Sequence, residues 1–111
     1  MKCDWKLYIC NDDNKKFFGK GPMQLLLGVE KHKSLNKAAA EMELSYHKAL
    51  KLIKIAEDGF GCTLIDKKIG GERGGGSSLT PEAFEIIEKY KKLENDINSY
   101  ASQAFAEAFK S

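Results

Sequence analysis

The hydrophobic positions change their spacing along the chain, and the first part has the spacing of a β-hairpin. Apolar and polar side chains alternate over residues 3–10, which predicts a half-buried strand. One face of this strand carries Cys3, Trp5, Leu7 and Ile9. Residues 11–14 are all Asn or Asp, whose side chains bond their own backbone and favour a turn. Residues 15–18 are then predicted to return as a short second strand.

After Gly19-Lys20-Gly21, the apolar spacing becomes that of an amphipathic helix. We predict this helix over residues 22–33, because Pro22 suits a first helical turn and apolar residues then recur every three or four positions. The face predicted to be buried carries Met23, Leu26 and Leu27, and it is widened by Leu25 and Val29.

Two further helices follow, each preceded by a serine that suits an N-cap. Ser34 precedes a short, alanine-rich helix at about 35–42, and Ser45 precedes a helix at about 46–58. Small side chains allow two helices to approach closely, so the pair predicts a helix-turn-helix. A helical hairpin without that function fits the same pattern.

A glycine-rich segment separates two short strands after the third helix. Residues 63–69 predict a strand, residues 70–78 a loop, and Leu79-Thr80 the start of the return. A hairpin in this position is a wing. The loop does not match a phosphate-binding motif, because Ser77 stands where that motif requires lysine.

The last predicted helix runs from Pro81 to Ser111, with Thr80 as its N-cap. Its apolar residues recur in a heptad pattern, which predicts pairing with a partner helix. We expect the dimer interface to consist of Ile86, Tyr90, Leu93, Ile97, Tyr100 and Ala104, after Ala83 at the start of the pattern. Alternatively, the first half of this pattern packs within the chain and the remainder frays.

The central segment resembles the N-terminal winged helix-turn-helix domain of ModE, the molybdate-responsive bacterial repressor, and its single-domain relatives. More distantly, it is similar to the DNA-binding end of LysR-type regulators. The resemblance covers about residues 20–100. It is carried by Ser34-Leu35-x-x-Ala38-Ala39, Met42-x-Leu44-Ser45-Tyr46-x-Lys48-Ala49, Leu64-Ile65, and the glycine wing from Gly70 to Gly76 that leads into Leu79-Thr80.

The resemblance implies that the third helix enters the major groove of DNA. By their spacing, Ala49, Ile53 and Ala56 face inward, which leaves a basic stripe outward. The expected DNA-binding residues are Ser45, Tyr46, His47, Lys48, Lys51, Lys54 and, at the wing tip, Arg73. An ordinary solvated helix face is the alternative.

Two departures from the family limit what the resemblance carries over. Leu50 stands where family members commonly have Trp, which weakens any inference that the same operator is read. ModE also has a C-terminal domain that binds molybdate, whereas this sequence ends after the long helix. We therefore expect neither molybdate binding nor any cofactor.

Composition adds only modest support. The 111 residues carry a net charge of +2, and residues 81–111 hold four basic and six acidic residues, so residues 1–80 carry +4. No stretch approaches the ~20 apolar residues needed to span a bilayer, and no secretory signal is recognisable. The expected location is cytoplasmic. The three cysteines have neither disulfide nor metal-site spacing, so no metal is expected.

Together these features predict a mostly helical α+β fold in two parts. Residues 1–80 form an N-terminal hairpin and a winged helix-turn-helix, and residues 81–111 form a dimerisation helix. The predicted function is sequence-specific binding of double-stranded DNA by a homodimeric transcription regulator. A winged domain that binds another protein is the competing hypothesis, favoured by acidic residues near the DNA face: Glu41, Glu43, Glu57, Asp58 and Glu72. No catalytic constellation is recognisable, so an enzyme is not predicted.

Overall fold

The chain begins with a shorter hairpin than its alternation predicts. In the computed structural model, which describes residues 1–68 and 76–110 apart from the Lys68 side chain, β1 spans Ile9–Cys10 and β2 spans Lys16–Phe18. The two strands are antiparallel. The turn forms as expected, because the Asn11 Oδ1 accepts hydrogen bonds from the backbone N–H of Asp13 at 2.9 Å and Lys15 at 3.0 Å.

The predicted strand over residues 3–10 is wrong for most of its length. Residues 1–8, which we call the N-terminal arm, pair with no strand among the described residues. The arm instead lies against the last helix. The hydroxyl of Tyr90 donates to the Leu7 carbonyl at 2.9 Å, and the Trp5 Nε1 donates to the Asn98 Oδ1 at 3.1 Å. Trp5 and Leu7 are still half-buried, so the alternation within the arm reflects contact with a helix rather than with a sheet.

Three helices form the centre of the fold: α1 at Lys20–His32, α2 at Leu35–Glu41 and α3 at Tyr46–Phe60. Both predicted serine caps are present. The Ser34 Oγ accepts from the Lys37 N–H and the Ser45 Oγ from the Lys48 N–H, each at 3.1 Å. The turn between α2 and α3 places Glu43 at a φ of 57°.

The first helix differs from its prediction in start and orientation. It begins two residues before Pro22, with Gly19 as its N-cap. Leu27 is 40% exposed, while Gly28 is buried instead. The buried face is centred on Leu25 and Val29, and Leu27 lies on the opposite side of the helix because successive residues are about 100° apart.

Gly28 allows α1 and α2 to approach closely, and its replacement provides a test of the packing. A Cβ added at Gly28 would lie 2.7 Å from the Ala38 Cβ. We expect Gly28→Ala to lower the free energy of unfolding by about 1–3 kcal/mol, since overpacking outweighs the gain in helix propensity. Urea denaturation measures this. Gly21→Ala is the matched control, because a Cβ at Gly21 meets no atom within 4 Å; equal stability of the two variants would contradict the close contact.

The wing stem consists of β3 at Ile65–Lys68 and β4 at Gly76–Leu79, which are antiparallel with Ile65 opposite Leu79. The loop predicted over residues 70–78 is therefore too long, because Ser77 and Ser78 pair within β4. Residues 69–75 lie outside the described residues. The stem is attached to α1, since the Ser77 N–H donates to the Lys33 carbonyl at 2.9 Å.

The last helix, α4, spans Pro81–Ala108 and has 28 residues. Its predicted cap is present, with the Thr80 Oγ1 accepting from the Ala83 N–H at 3.1 Å. The helix ends before Ser111, which lies outside the described residues. Its buried residues are Ala83, Ile87 and Tyr90.

An aromatic cluster joins the hairpin, α3 and α4. The ring of Phe18 makes edge contacts with Phe60 and Tyr90, each at a centroid distance of 5.2 Å. Beyond Tyr90, α4 projects from this core, and the molecule measures 63 × 29 × 23 Å. No helix among residues 1–68 and 76–110 is long and apolar enough to cross a membrane.

Candidate nucleic-acid interface

The outer face of α3 carries most of the side chains that the sequence predicted for DNA contact. These exposed residues are Tyr46, His47, Lys48, Lys51 and Lys54. The opposite face is held in the core by Ala49, Ile53 and Ala56, as predicted. The orientation of the basic face is thus fixed by packing. Ser45 is exposed at the start of α3, where its hydroxyl oxygen caps the helix.

Lys48, Lys51 and Lys54 are spaced three residues apart. The Cα atom of each one is therefore displaced by about 4.5 Å along the helix axis from that of the lysine before it. None of the three is involved in a salt bridge within the part of the chain that the structure describes. They form a row of available positive charge beginning in the first turn of α3.

A further lysine, which the sequence did not single out, joins this surface from the wing stem. The Lys67 Nζ lies 5.5 Å from the centroid of the Tyr46 ring, within the range of a cation–π contact. Lys67 stands two positions after the buried Ile65, on the same face of β3, and is itself exposed. If the register of β3 had been known, the alternation of side chains along the strand from Ile65 would have predicted that Lys67 lies beside α3.

A furrow of about 300 Å³ separates α3 from the wing stem. Lys54 and Lys67 line it from opposite sides, together with Glu57 and Asp66. The carboxylate of Glu57 is held by the backbone, because its Oε2 accepts from the Leu64 N–H at 2.8 Å. Glu57 therefore anchors the wing to α3, which positions the two lysines across the furrow.

The acidic residues near this surface are partly engaged elsewhere. The Glu41 Oε1 lies 2.5 Å from the His32 Nε2 and 3.9 Å from the Lys31 Nζ. The hydrogen bond from His32, assisted by the charges of His32 and Lys31, holds the pKa of Glu41 below its ordinary value. Glu41 thus links α2 to α1. Glu43 and Asp58 are exposed, and Glu72 and Arg73 lie outside the described residues.

The heptad residues of α4 are placed in two different environments. Tyr90 is 3% exposed and packs in the chain's own core, so we leave it out of the interface proposed below. Burial raises the pKa of its hydroxyl, with smaller contributions from Glu94 and Tyr8. Ile86 and Ile97 are half-buried, whereas Leu93 is 43% exposed, Tyr100 75% exposed, and Ala104 exposed. In the first half of α4, the isoleucine that is buried in the core is Ile87, one position after the predicted Ile86.

No group of three potential metal ligands occurs among the described residues. Cys3 and Cys10 are exposed and Cys62 is half-buried, all as thiols. Burial raises the pKa of the Cys62 thiol, with additional contributions from Glu82 and Glu57, which makes it a poor nucleophile.

The chain is similar in sequence to two ModE proteins. The molybdenum transport protein ModE of Herbaspirillum seropedicae is 34% identical over 70 residues, which are 63% of this chain and 26% of that protein. Its counterpart from Azotobacter vinelandii is 32% identical over 77 residues, 69% of this chain and 28% of that protein. The chain thus spans about a quarter of the length of these relatives. No protein-family model matches it.

Solved structures of DNA complexes share the fold. The DNA complex of the CbnR DNA-binding domain superposes with a TM-score of 0.59 at 16% identity, covering 79% of this chain and 95% of that one. The complex of the BenM DNA-binding domain with the benA site gives 0.56 at 19% identity, covering 81% and 96%. Vibrio fischeri DarR in complex with DNA, one of the LTTR family members, gives 0.58 at 22% identity, covering 79% of this chain and 28% of that one.

These likenesses and the arrangement of elements define a winged helix-turn-helix domain. Within that class, the chain is similar in sequence to the two ModE proteins and in fold to the DNA-binding domains of CbnR and BenM, as the sequence motifs indicated. The predicted fold class is confirmed, including the N-terminal hairpin and the long final helix.

Proposed function

We propose that the chain binds double-stranded DNA at specific sequences and regulates transcription as a homodimer. The observation that carries the proposal is the outer face of α3. Its lysines and its N-terminal Tyr46 and His47 are exposed, while the inner face is locked in the core. In helix-turn-helix proteins the corresponding helix lies in the major groove with its N-terminal residues against the bases.

In this proposal, the exposed residues divide into two roles. Lys48, Lys51 and Lys54 bind phosphates or guanine edges, which supplies affinity and register. Tyr46 and His47, in the first turn of α3, contact base edges or the adjacent sugar–phosphate. Lys67 adds a phosphate contact from the wing stem, and Arg73 is proposed from the sequence to act at the wing tip.

The proposed homodimer is supported by the projecting part of α4. Residues 91–108 extend about 27 Å past the last buried residue of the helix. Leu93 and Tyr100 lie on this segment with much of their apolar surface exposed. A partner helix that covered them would remove this surface from water, which is the driving force for pairing.

A fluorescence anisotropy titration of genomic DNA fragments at several salt concentrations tests the proposal. Specific binding is expected to be tightest for particular fragments, and its association constant should fall linearly with salt on logarithmic axes. Uniformly weak binding to all fragments, or binding that does not depend on salt, would contradict it.

Lys67 offers a single-residue test of the wing contribution. We expect Lys67→Ala to reduce the salt slope by about one unit, because one fewer counterion is released when the complex forms. The matched control is Lys15→Ala, which removes one exposed lysine from the N-terminal hairpin, outside both α3 and the wing stem. Identical slopes for the two variants would remove Lys67 from the interface.

A winged domain that binds another protein is the second candidate. The exposed carboxylates of Glu43 and Asp58, close to the two ends of α3, favour it because they repel DNA phosphates. The titration distinguishes the two candidates, because a domain that binds only proteins is not expected to bind some DNA fragments more tightly than others.

A further inference from the structure

Two acidic residues stand in the last turn of α3, beside the surface that is proposed to bind DNA. Glu57 is half-buried and Asp58 is exposed. A carboxylate is unfavourable there on two grounds, because the C-terminal end of a helix carries partial negative charge and DNA phosphates repel anions. Neither carboxylate is involved in a salt bridge within residues 1–68 and 76–110. A favourable role for either one must therefore come from another kind of contact.

Glu57 has such a contact, because its carboxylate accepts hydrogen bonds from the backbone. The Oε2 atom accepts from the Leu64 N–H at 2.8 Å and from the Ile65 N–H at 3.4 Å. Leu64 and Ile65 are buried, and a backbone N–H without a partner is destabilising at a buried position. Glu57 therefore holds the start of β3 against the end of α3.

The wing stem has a second contact with α3, at the opposite end of the helix. Lys67 lies two residues after Ile65, about 7 Å further along the strand. Its Nζ is 5.5 Å from the centroid of the ring of Tyr46, the first residue of α3. Between these two contacts, the furrow of about 300 Å³ separates the strand from the helix. The position of Lys67 over the Tyr46 ring therefore depends on how the strand is held at Glu57.

The Leu64 peptide also joins the stem to α4. Its carbonyl accepts from the Thr80 N–H at 3.0 Å, while its N–H donates to Glu57. Without the carboxylate, the base of the stem would remain hydrogen-bonded to the start of α4. It would lose the side-chain hydrogen bonds that connect it to α3.

We infer that Glu57 is a positioning residue for DNA binding. Its carboxylate holds the start of β3 against α3, and this places Lys67 beside Tyr46 on the surface that is proposed to bind DNA. Removal of Glu57 therefore weakens specific binding, although it takes a negative charge away from that surface. The inference rests on the proposed function. It reverses the role that the sequence suggested for Glu57, which was counted among the acidic residues that favour a protein partner.

Two alanine variants that remove the same charge test the inference by anisotropy titration with the preferred DNA fragment. At about 0.1 M salt, Glu57→Ala is expected to lower the affinity about tenfold and the salt slope by about one unit, because the Lys67 contact is lost. Asp58→Ala is expected to leave the slope unchanged and the affinity no lower than that of the unaltered chain. If Glu57→Ala bound DNA as tightly as Asp58→Ala, Glu57 would act only through its charge and the inference would be wrong.

Glu57→Gln separates the acceptor from the charge. The amide oxygen can accept from the same two N–H groups, so the affinity is expected to stay within about twofold of that of the unaltered chain. A loss as large as that of Glu57→Ala would contradict the role of Glu57 as a backbone acceptor.

A double variant shows whether Glu57 acts through Lys67. In a Lys67→Ala background, Glu57→Ala has no lysine left to position, so it is expected to change the affinity by less than about twofold. A further tenfold loss would show that Glu57 affects binding by another route, and it would overturn the inference alone. If the unaltered chain bound no fragment, the proposed function and the inference would fail together.

Amide hydrogen exchange, followed by nuclear magnetic resonance without DNA, tests the contact between Glu57 and the stem. The Leu64 N–H is expected to exchange about tenfold faster in Glu57→Ala than in Asp58→Ala, because its acceptor is lost. Each rate is divided by that of the Val29 N–H in α1, so that a general loss of stability does not change the ratio. Equal ratios in the two variants would overturn the inference whether or not the chain binds DNA.

Discussion

Replacing Lys48, Lys51 and Lys54 together by alanine is expected to weaken DNA binding several hundredfold at about 0.1 M salt. Each phosphate contact releases roughly 0.9 of a counterion, so each one is equivalent to nearly tenfold in affinity at that salt concentration. The slope of the logarithmic salt plot should fall by about three units, and Lys51→Ala alone should lower it by about one. Anisotropy titrations between about 0.05 and 0.3 M salt measure both quantities.

A control variant with the same change in net charge distinguishes the loss of direct contacts with DNA from the loss of general electrostatic attraction to it. Lys2, Lys15 and Lys110 are exposed on the arm, the hairpin and the end of the chain. Their triple replacement by alanine should reduce the slope by much less than one unit. If both triple variants lost the same affinity, binding would depend on overall charge, and α3 would have no special role.

The helix-turn-helix could be predicted from the sequence because its determinants are local. A serine cap depends on a backbone N–H three residues away, which is why Ser34 and Ser45 were placed correctly. The inward face of α3 follows from helical spacing within a single element. The same holds for Thr80 and Pro81 at the start of α4.

The features that were missed depend on contacts between distant parts of the chain. The alternation of apolar and polar residues in the arm correctly indicated that one of its faces is buried. Nothing in the local sequence indicated that this face packs against α4, to which the arm is joined by hydrogen bonds with the Tyr90 hydroxyl and Asn98. The exposure of Leu27 depends on which side of α1 meets α2, and that is set by the close approach at Gly28. The contribution of Lys67 depends on the position of β3 beside α3.

The connection between the wing and α4 explains how dimer geometry would control DNA recognition. The Thr80 N–H donates to the Leu64 carbonyl at 3.0 Å, and its hydroxyl donates to the Thr63 carbonyl at 2.7 Å. The first residues of α4 are thereby fixed to the base of the wing. A change in the angle between two α4 helices would move both wings and both α3 helices, and with them the distance between the DNA half-sites that the proposed dimer reads.

Placing aspartate at both Leu93 and Ile97 is expected to convert the proposed dimer into a monomer. Two carboxylates in a paired apolar seam would be buried without partners, and each dimer would carry four of them. Light scattering should give half the mass of the unaltered chain. Affinity for a fragment with two half-sites should fall by roughly a hundredfold or more, because the second domain would no longer be delivered at high effective concentration.

The chain contains a closely matched control on the same helix. Phe84 is 44% exposed and Leu93 is 43% exposed, but they lie on opposite sides of α4 because they are nine residues apart. Phe84→Asp should leave the dimeric mass unchanged, while Leu93→Asp alone should raise the dissociation constant. If the double variant remained dimeric with a native circular dichroism spectrum, α4 would not be the dimerisation element. Two-half-site affinity would then have to arise from another surface.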